Sequence, residues 1–321
     1  MEVSKLKKNM STNNNKERVA YFNGKIVPES DVKVPFRDRG FKYGDAVFDM
    51  TRTFDHKIFK LEGHIKRFYN SLKYIQIDPG LSENEMVNKT KEVFEANAHL
   101  LGDDDDFWVG QRVSRGIDLV GGDMWDTDGG PTVIIECMPL PLKPRARLYR
   151  DGIDVIIPST RRIPPESVSP RAKSHNYLNL IMADLEVKPQ DPEAWAILLD
   201  TRGFLSEGIG SNIFTIKNET LYTPKEQYVL GGISRETAIE LAEDLGLKVV
   251  EKDIDIFDAF TADEIFLTST SLCICGVRSI QGRKLLSENQ AAGPITKALM
   301  NAYVDLVKFD WISQYLRRLE Q

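Results

Sequence analysis

Hydrophobic and polar positions repeat along this chain with two periods, and each switch between them marks an element. Ala20-Tyr21-Phe22-Asn23-Gly24-Lys25-Ile26-Val27 places two short β runs about an Asn-Gly pair, which predicts a two-residue hairpin. The segment Phe36 to Phe54 ends in a strand whose period of two puts Phe48, Met50 and Arg52 on one face. An arginine sharing a face with Phe and Met either meets an anion or snorkels to water. Period 3.6 then takes over. A helix is expected over Glu62 to Leu72, with Ile65, Phe68, Tyr69 and Leu72 as its apolar stripe and Arg67 beside it. A second amphipathic helix runs from Glu83 to Leu101, and Asp103 to Asp106 read as a solvated loop. Strands follow at Phe107 to Gly116 and Thr132 to Glu136, separated by an irregular Gly- and Asp-rich stretch, Ile117 to Gly130, that reads as a mobile loop over a site.

Pro139, Pro141 and Pro144 interrupt the pattern, and beyond them strands and helices alternate. The expected organisation is a disordered lead over 1–18, a small N-terminal domain over 19–138, a linker over 139–150 and a larger C-terminal domain over 151–321. The fold class is α/β, with an α+β character in the small domain.

Composition narrows the function. The net charge is −6, with acidic and basic residues interspersed, so no basic surface suited to nucleic acid stands out and a small-molecule partner is expected. No apolar run reaches membrane-spanning length, and the first residues lack the apolar core of a signal peptide. Cys137, Cys273 and Cys275 form an odd set without metal-ligand spacing, which points to a reducing compartment, the cytoplasm, and argues for no metal site.

Three stretches carry candidate chemistry. Lys173 precedes an apolar run, Leu178, Leu180, Ile181, Met182 and Leu185, which places it at the entrance of a helix packed on one face. A helix N-terminus with burial lowers an amine's pKa and favours its nucleophilic form; a lone lysine is otherwise a solvated charge. Glu207 ends one strand where Gly208 and Gly210 bend the chain into the next, a corner where backbone comes close, or simply a turn acid. Gly231-Gly232-Ile233-Ser234 opens a helix that runs to Leu245, with Ser234 as the N-cap and Gly246 closing it, a cradle for an anion. Thr270 and Ser271 end a later strand with hydroxyls. Lysine, carboxylate and anion cradle together have one economical explanation, pyridoxal 5'-phosphate, whose ring withdraws electrons from a substrate Cα–H bond.

In combination and in order, Arg39 to Asp49, Phe59 to Arg67, Lys173 to Leu178, Ser206 to Phe214, Gly232 to Arg235 and Gly293 to Lys297 make the chain resemble the class IV aminotransferases, the fold-type IV pyridoxal-phosphate enzymes related to D-amino acid aminotransferase. The resemblance spans Tyr21 to Leu306. It implies that Lys173 forms the Schiff base and shuttles the proton, Glu207 pairs with the pyridine nitrogen, and Tyr177 approaches the phenolic oxygen. Arg67, the backbone of Ile233 and Ser234, and Thr270 would hold the phosphate. It further implies a site between the two domains and a homodimer whose partner subunit contributes to that site.

For the substrates, an amino donor and a keto acid acceptor, Tyr43, Phe48 and Arg52 look like the pocket of branched-chain amino acid aminotransferases. Met50 stands where that group has a glycine, and Trp108 where a tyrosine is usual, so a reshaped pocket is expected. The carboxylate-catching arginine of (R)-amine aminotransferases is missing from Ile117 to Gly122, as is the Arg-x-His trap of D-amino acid aminotransferases. Arg52, Arg115 and the Thr270-Ser271 turn remain as candidates for that work. The rival activities are (R)-amine or D-amino acid transamination on the same fold and, further off, an aminodeoxychorismate-type lyase or a non-catalytic binding protein.

Overall fold

The computed structural model describes residues 17–287 and 290–320. The first 16 residues of the expected lead lie outside that range, while Arg18 is anchored, its carbonyl accepting from Glu29 N at 2.8 Å. The Asn-Gly hairpin forms as expected: β1 (Val19–Phe22) and β2 (Lys25–Pro28) turn through Asn23 and Gly24, both at positive φ. After α1 (Arg39–Tyr43) come β3 (Ala46–Phe54), β4 (Lys57–Ile58), helices α2 (Leu61–Tyr74) and α3 (Glu83–Asn97), and β5 (Phe107–Ser114). The pair β6 (Ile117–Asp118) and β7 (Thr127–Asp128) leads to β8 (Thr132–Pro139). The antiparallel sheet β2-β1-β8-β5-β3-β4 takes up this half of the chain. Its buried face packs Val47, Val109, Val113 and Ile135 against Ile65, Phe68 and Leu72 of α2 and Met86 and Val93 of α3.

Three expectations in this half change. The stretch after Gly116 is tied down as a short hairpin, with Arg39 donating to Asp118 at 2.9 Å and to Met124 O at 2.6 Å. Asp106 is not solvated: it is buried, and accepts from Thr53 Oγ1, His56 N and Gln314 Nε2. The proposed linker is largely helix, α4 (Leu142–Asp151), because a proline in the first turn removes an N–H that has no intrahelical partner. Tyr149 of α4 stacks on Tyr315 at 4.5 Å, so this helix belongs to the core of the second half.

That second half contains β9 (Ile153–Ile156), α5 (Leu178–Val187), β10 (Trp195–Leu199), β11 (Leu205–Gly208), β12 (Asn212–Lys217), β13 (Thr220–Thr223), α6 (Ile233–Asp244) and β14 (Lys248–Glu251). It continues with α7 (Ile256–Phe260), β15 (Glu264–Ser269), β16 (Cys273–Ile280), β17 (Arg283–Lys284), α8 (Pro294–Val307) and α9 (Trp311–Leu316). The strand order is β11-β10-β9-β16-β15-β12-β13-β14, and β11 also pairs with β12, so six strands close into a ring. Around it pack α4, α6, α8 and α9 through Phe214, Phe266, Tyr303, Trp311 and Tyr315. Both sheets and the helices between them make the α/β class expected from the sequence.

Helix α5 corrects the sequence reading twice. It begins at Leu178, five residues after Lys173, so the lysine is not at a helix N-terminus. The face of α5 turned inward is Leu180, Ala183 and Val187, while Leu178, Ile181, Met182 and Leu185 are exposed.

Candidate active site

Lys173 sits between the two sheets on an extended segment that pairs with the start of β3. Its carbonyl accepts from Phe48 N at 2.9 Å, its N–H reaches Ser71 Oγ of α2 at 3.1 Å, and Ser174 bridges Val47. The amine lies 4.5 Å from the Phe48 ring centroid. Backbone pairing to the first half therefore fixes a residue that the second half supplies.

The same cleft is lined by Arg67, Tyr177, Glu207, Ile233, Ser234 and Thr270, so the residues implied for the cofactor come together there. Arg67 points inward from α2. Its Nη2 and Nε donate to the two Asp49 oxygens at 2.7 and 2.8 Å, and its Nη1 to Gly231 O at 2.9 Å. Asp49 is buried on β3 and also meets His64 Nδ1 at 2.7 Å. Burial pushes the Asp49 carboxyl up, but Arg67 and His64 more than offset this and hold it well below the ordinary range. Burial in turn keeps the His64 pKa low despite Asp49.

Glu207, buried, accepts from Arg162 Nε at 2.9 Å through Oε1 and from Leu230 N at 2.9 Å through Oε2. Ser234 is the second residue of α6, not its cap; Gly232 is the N-cap. A Cβ on Gly232 would fall 2.1 Å from Asn212 Oδ1, so only glycine lets the strand and the positive helix end approach. Thr270 has already donated its hydroxyl hydrogen to Met50 O at 3.0 Å. Ser211 Oγ and Thr268 Oγ1 line the cleft buried, with no hydrogen-bond partner among the described residues. Free hydroxyls beside a helix N-terminus, an inward arginine, a lysine and a held carboxylate fit a phosphorylated pyridine aldehyde.

Next to this end opens a cavity of about 480 Å³ lined by Phe48, Met50, Trp108, Lys173, Thr270 and Ser271 among others. Three of the expected pocket residues are elsewhere. Arg52 shares the face of Phe48 and Met50, yet its guanidinium is sealed in the core, donating to Thr53 O at 2.9 Å and Gln314 Oε1 at 3.3 Å, with Ser271 O at 3.5 Å and Asp106 at 3.8 Å. The snorkelling alternative is also excluded. Arg115 is held outside the cavity by both Asp45 oxygens and by Ile75 O at 2.8 Å. Tyr43 is half-exposed beside Arg39 and Lys42.

Sequence reasoning passed over Asp49, His64, Arg162, Ser211 and Thr268. Asp49 had a legible signal, since the period that faces Phe48 and Met50 one way turns Asp49 to the core, where an acid needs a partner. Arg162 had none, because it lies in an aperiodic segment before the lysine.

A fold of two sheets with a lysine between them, facing a carboxylate and an anion cradle, fits a pyridoxal-phosphate enzyme. A model of the class IV amino-transferase family matches residues 46–280, and the chain belongs to that family, whose cofactor is pyridoxal 5'-phosphate. Over 287 residues the chain is 39% identical to a putative branched-chain-amino-acid aminotransferase of Methanocaldococcus jannaschii, covering 89% of this chain and 95% of that one. Its fold matches the crystal structure of the Escherichia coli branched-chain amino acid aminotransferase with a TM-score of 0.82 at 28% identity, over 91% of this chain and 95% of that one. It also matches the branched-chain amino acid aminotransferase of Thermobaculum terrenum in its PLP-bound holo form, at a TM-score of 0.78 and 26% identity, over 94% of this chain and 97% of that one.

Proposed function

We propose that this aminotransferase moves the amino group of a hydrophobic, branched-chain-like amino acid to a 2-keto acid. The observation that carries the reading is the apolar wall of Phe48, Met50 and Trp108 directly beside Lys173. The names of the relatives support the same substrate class. When bound, the cofactor supplies an electron sink for the substrate's Cα–H bond. Lys173 is the residue that would hold the aldehyde, and its amine would carry the proton to and from the substrate Cα. Glu207, held in place by Arg162 and Leu230 N, would hold the pyridine N–H. Arg67, aimed by Asp49, joins the α6 N-terminus in binding the phosphate. Tyr177 stands beside the Phe48 ring at 5.6 Å and would face the phenolic oxygen.

The active form is a homodimer. Phe36, Phe41, Tyr43, Val120, Met124 and Trp125 are exposed on the N-terminal half, apolar surface that a second subunit would cover. Buried free thiols at all three cysteines suit the cytoplasm. Among the described residues no helix is long and apolar enough to cross a membrane.

Mixing the holoenzyme with L-leucine and, separately, with (R)-1-phenylethylamine, and following the cofactor's visible absorbance, tests the reading. Leucine should react faster, and Lys173→Ala should abolish both reactions. Faster reaction with the amine would move the assignment to an (R)-amine aminotransferase. Wild-type turnover in Lys173→Ala would remove the lysine from the chemistry.

A further inference from the structure

Helix α2 turns two different faces to its surroundings. Ile65, Phe68 and Leu72 pack into the core of the first half. Arg67, Ser71 and Tyr74, spaced four and three residues apart, share another face, and all three reach the second half of the chain. Arg67 donates to Gly231 O at 2.9 Å, Ser71 Oγ accepts from Lys173 N at 3.1 Å, and the Tyr74 hydroxyl accepts from Ser169 N at 3.2 Å. One stripe of this helix therefore holds both the approach to α6 and the lysine segment.

Ser71 is buried in that stripe, and its hydroxyl makes two hydrogen bonds. The hydrogen goes to Arg67 O at 3.1 Å, one turn back, and an oxygen lone pair takes the Lys173 N–H. A back-bonded serine does nothing for a helix interior, where alanine is the better former. What it adds here is an acceptor. The Lys173 N–H has no other partner among the described residues, and the Lys173 carbonyl is taken by Phe48 N at 2.9 Å. Both backbone groups of the lysine are thus gripped by the first half, one by β3 and one by α2.

We propose that Ser71 is a positioning residue for Lys173: it ties the lysine backbone to α2 one helical turn from Arg67, and so sets the reach of the amine relative to the phosphate site. The cofactor carries its aldehyde and its phosphate arm on neighbouring ring atoms, so the groups that receive them must keep a set separation. A rigid turn of helix, a rise of about 6 Å over four residues, maintains it. The inference rests on the cofactor reading of this cleft and deepens it. Ser71 acts through the lysine backbone; without its acceptor the Lys173 N–H is left unpaired and the amine loses one of its two anchors.

The test titrates two forms of the cofactor into the apoprotein. Pyridoxal 5'-phosphate uses the phosphate site and also a covalent link to Lys173, in which the neutral amine forms a C=N bond to the aldehyde carbon and the aldehyde oxygen leaves as water. Pyridoxamine 5'-phosphate, with an amine in place of the aldehyde, uses the phosphate site without the link. In Ser71→Ala the affinity for the aldehyde form relative to the amine form should fall about tenfold, the effect of one buried donor left unpaired. Ser71→Thr, which keeps the acceptor, should restore most of the ratio. An unchanged ratio in Ser71→Ala overturns the proposal, since a general loss of packing would weaken both forms alike. So does rapid hydrogen exchange at the Lys173 amide of the wild-type holoenzyme, a result that needs no variant to fold. A wild-type protein that binds the aldehyde form no more tightly than the amine form would instead bring down the role of Lys173 beneath it.

Discussion

The two ends of the cleft are built on opposite principles. At the cofactor end nearly every charge has a fixed partner: Arg67 is aimed by Asp49 and Gly231 O, and Glu207 by Arg162 and Leu230 N. At the substrate end the walls are Phe48, Met50, Trp108 and Trp195, and Arg145 has aromatic neighbours but no acid among the described residues. A group bound in every turnover can be met by a rigid polar frame. Substrates that alternate need surfaces that tolerate more than one shape, which apolar walls and thioethers provide.

The frame breaks most severely at Asp49. Asp49→Asn leaves Arg67 and His64 facing an amide, a buried charge without its counter-ion. Cofactor affinity, measured by titrating the apoprotein, should fall by about 100-fold, a change of about 3 kcal/mol, with a lower Tm. If Asp49→Asn binds the cofactor as tightly as wild type, Arg67 needs no aiming and the contrast between the two ends loses its main support.

The substrate end should respond more mildly and more selectively. Met50 stands against Gly110, where a Cβ would come within 2.8 Å of its methyl carbon, so methionine uses space that only glycine leaves. Met50→Gly removes apolar contact worth about 1.5–3 kcal/mol when complete, so the KM for leucine should rise roughly tenfold. Bulkier donors should gain relative to leucine. An equal change in kcat/KM for all donors would mean that Met50 supports the fold and does not shape the pocket.

The smallest effect joins the two ends at His175, which follows Lys173 and packs edge-on against Phe48 at 5.4 Å. Burial lowers its pKa from 6.5 to about 4, helped by Arg112. Between those values the unfolded chain binds a proton that the folded protein refuses, so the contribution to stability is present above 6.5 and is lost as pH falls. Tm should therefore drop from pH 7 to pH 5, by an amount equivalent to about 1–2 kcal/mol, and His175→Gln should flatten part of that slope. An unaltered slope in the variant would assign the acid sensitivity to other groups, such as His64.

Much of this was legible in the chain because local pattern and local chemistry agreed. The β1–β2 hairpin needed only Asn23-Gly24, and α2 needed only its stripe of Ile65, Phe68 and Leu72. Motif order brought Lys173, Glu207, Arg67 and the Gly232 helix start to one cleft without any knowledge of distance. Period two correctly set Phe48, Met50 and Arg52 on one face.

Where each of those side chains ended was decided by what lay opposite in space. Period two could not distinguish the cavity beside Phe48 and Met50 from the enclosed acceptors Thr53 O, Ser271 O and Gln314 that took Arg52. Helical spacing could not show that Lys173 would be fixed by a strand 125 residues earlier, through Phe48 N, five residues before its helix begins. Prolines 139 to 144 read as a break because their cost depends on position in a turn, which the helix itself sets. The sequence by itself determined most of the elements, the family and the chemical groups. Only the tertiary structure decided which cations were answered, as Arg67 is by Asp49, and which, like Arg145, kept a buried nitrogen without a hydrogen-bond partner among the described residues, because charge pairing depends on distance and dielectric, and neither is written along the chain.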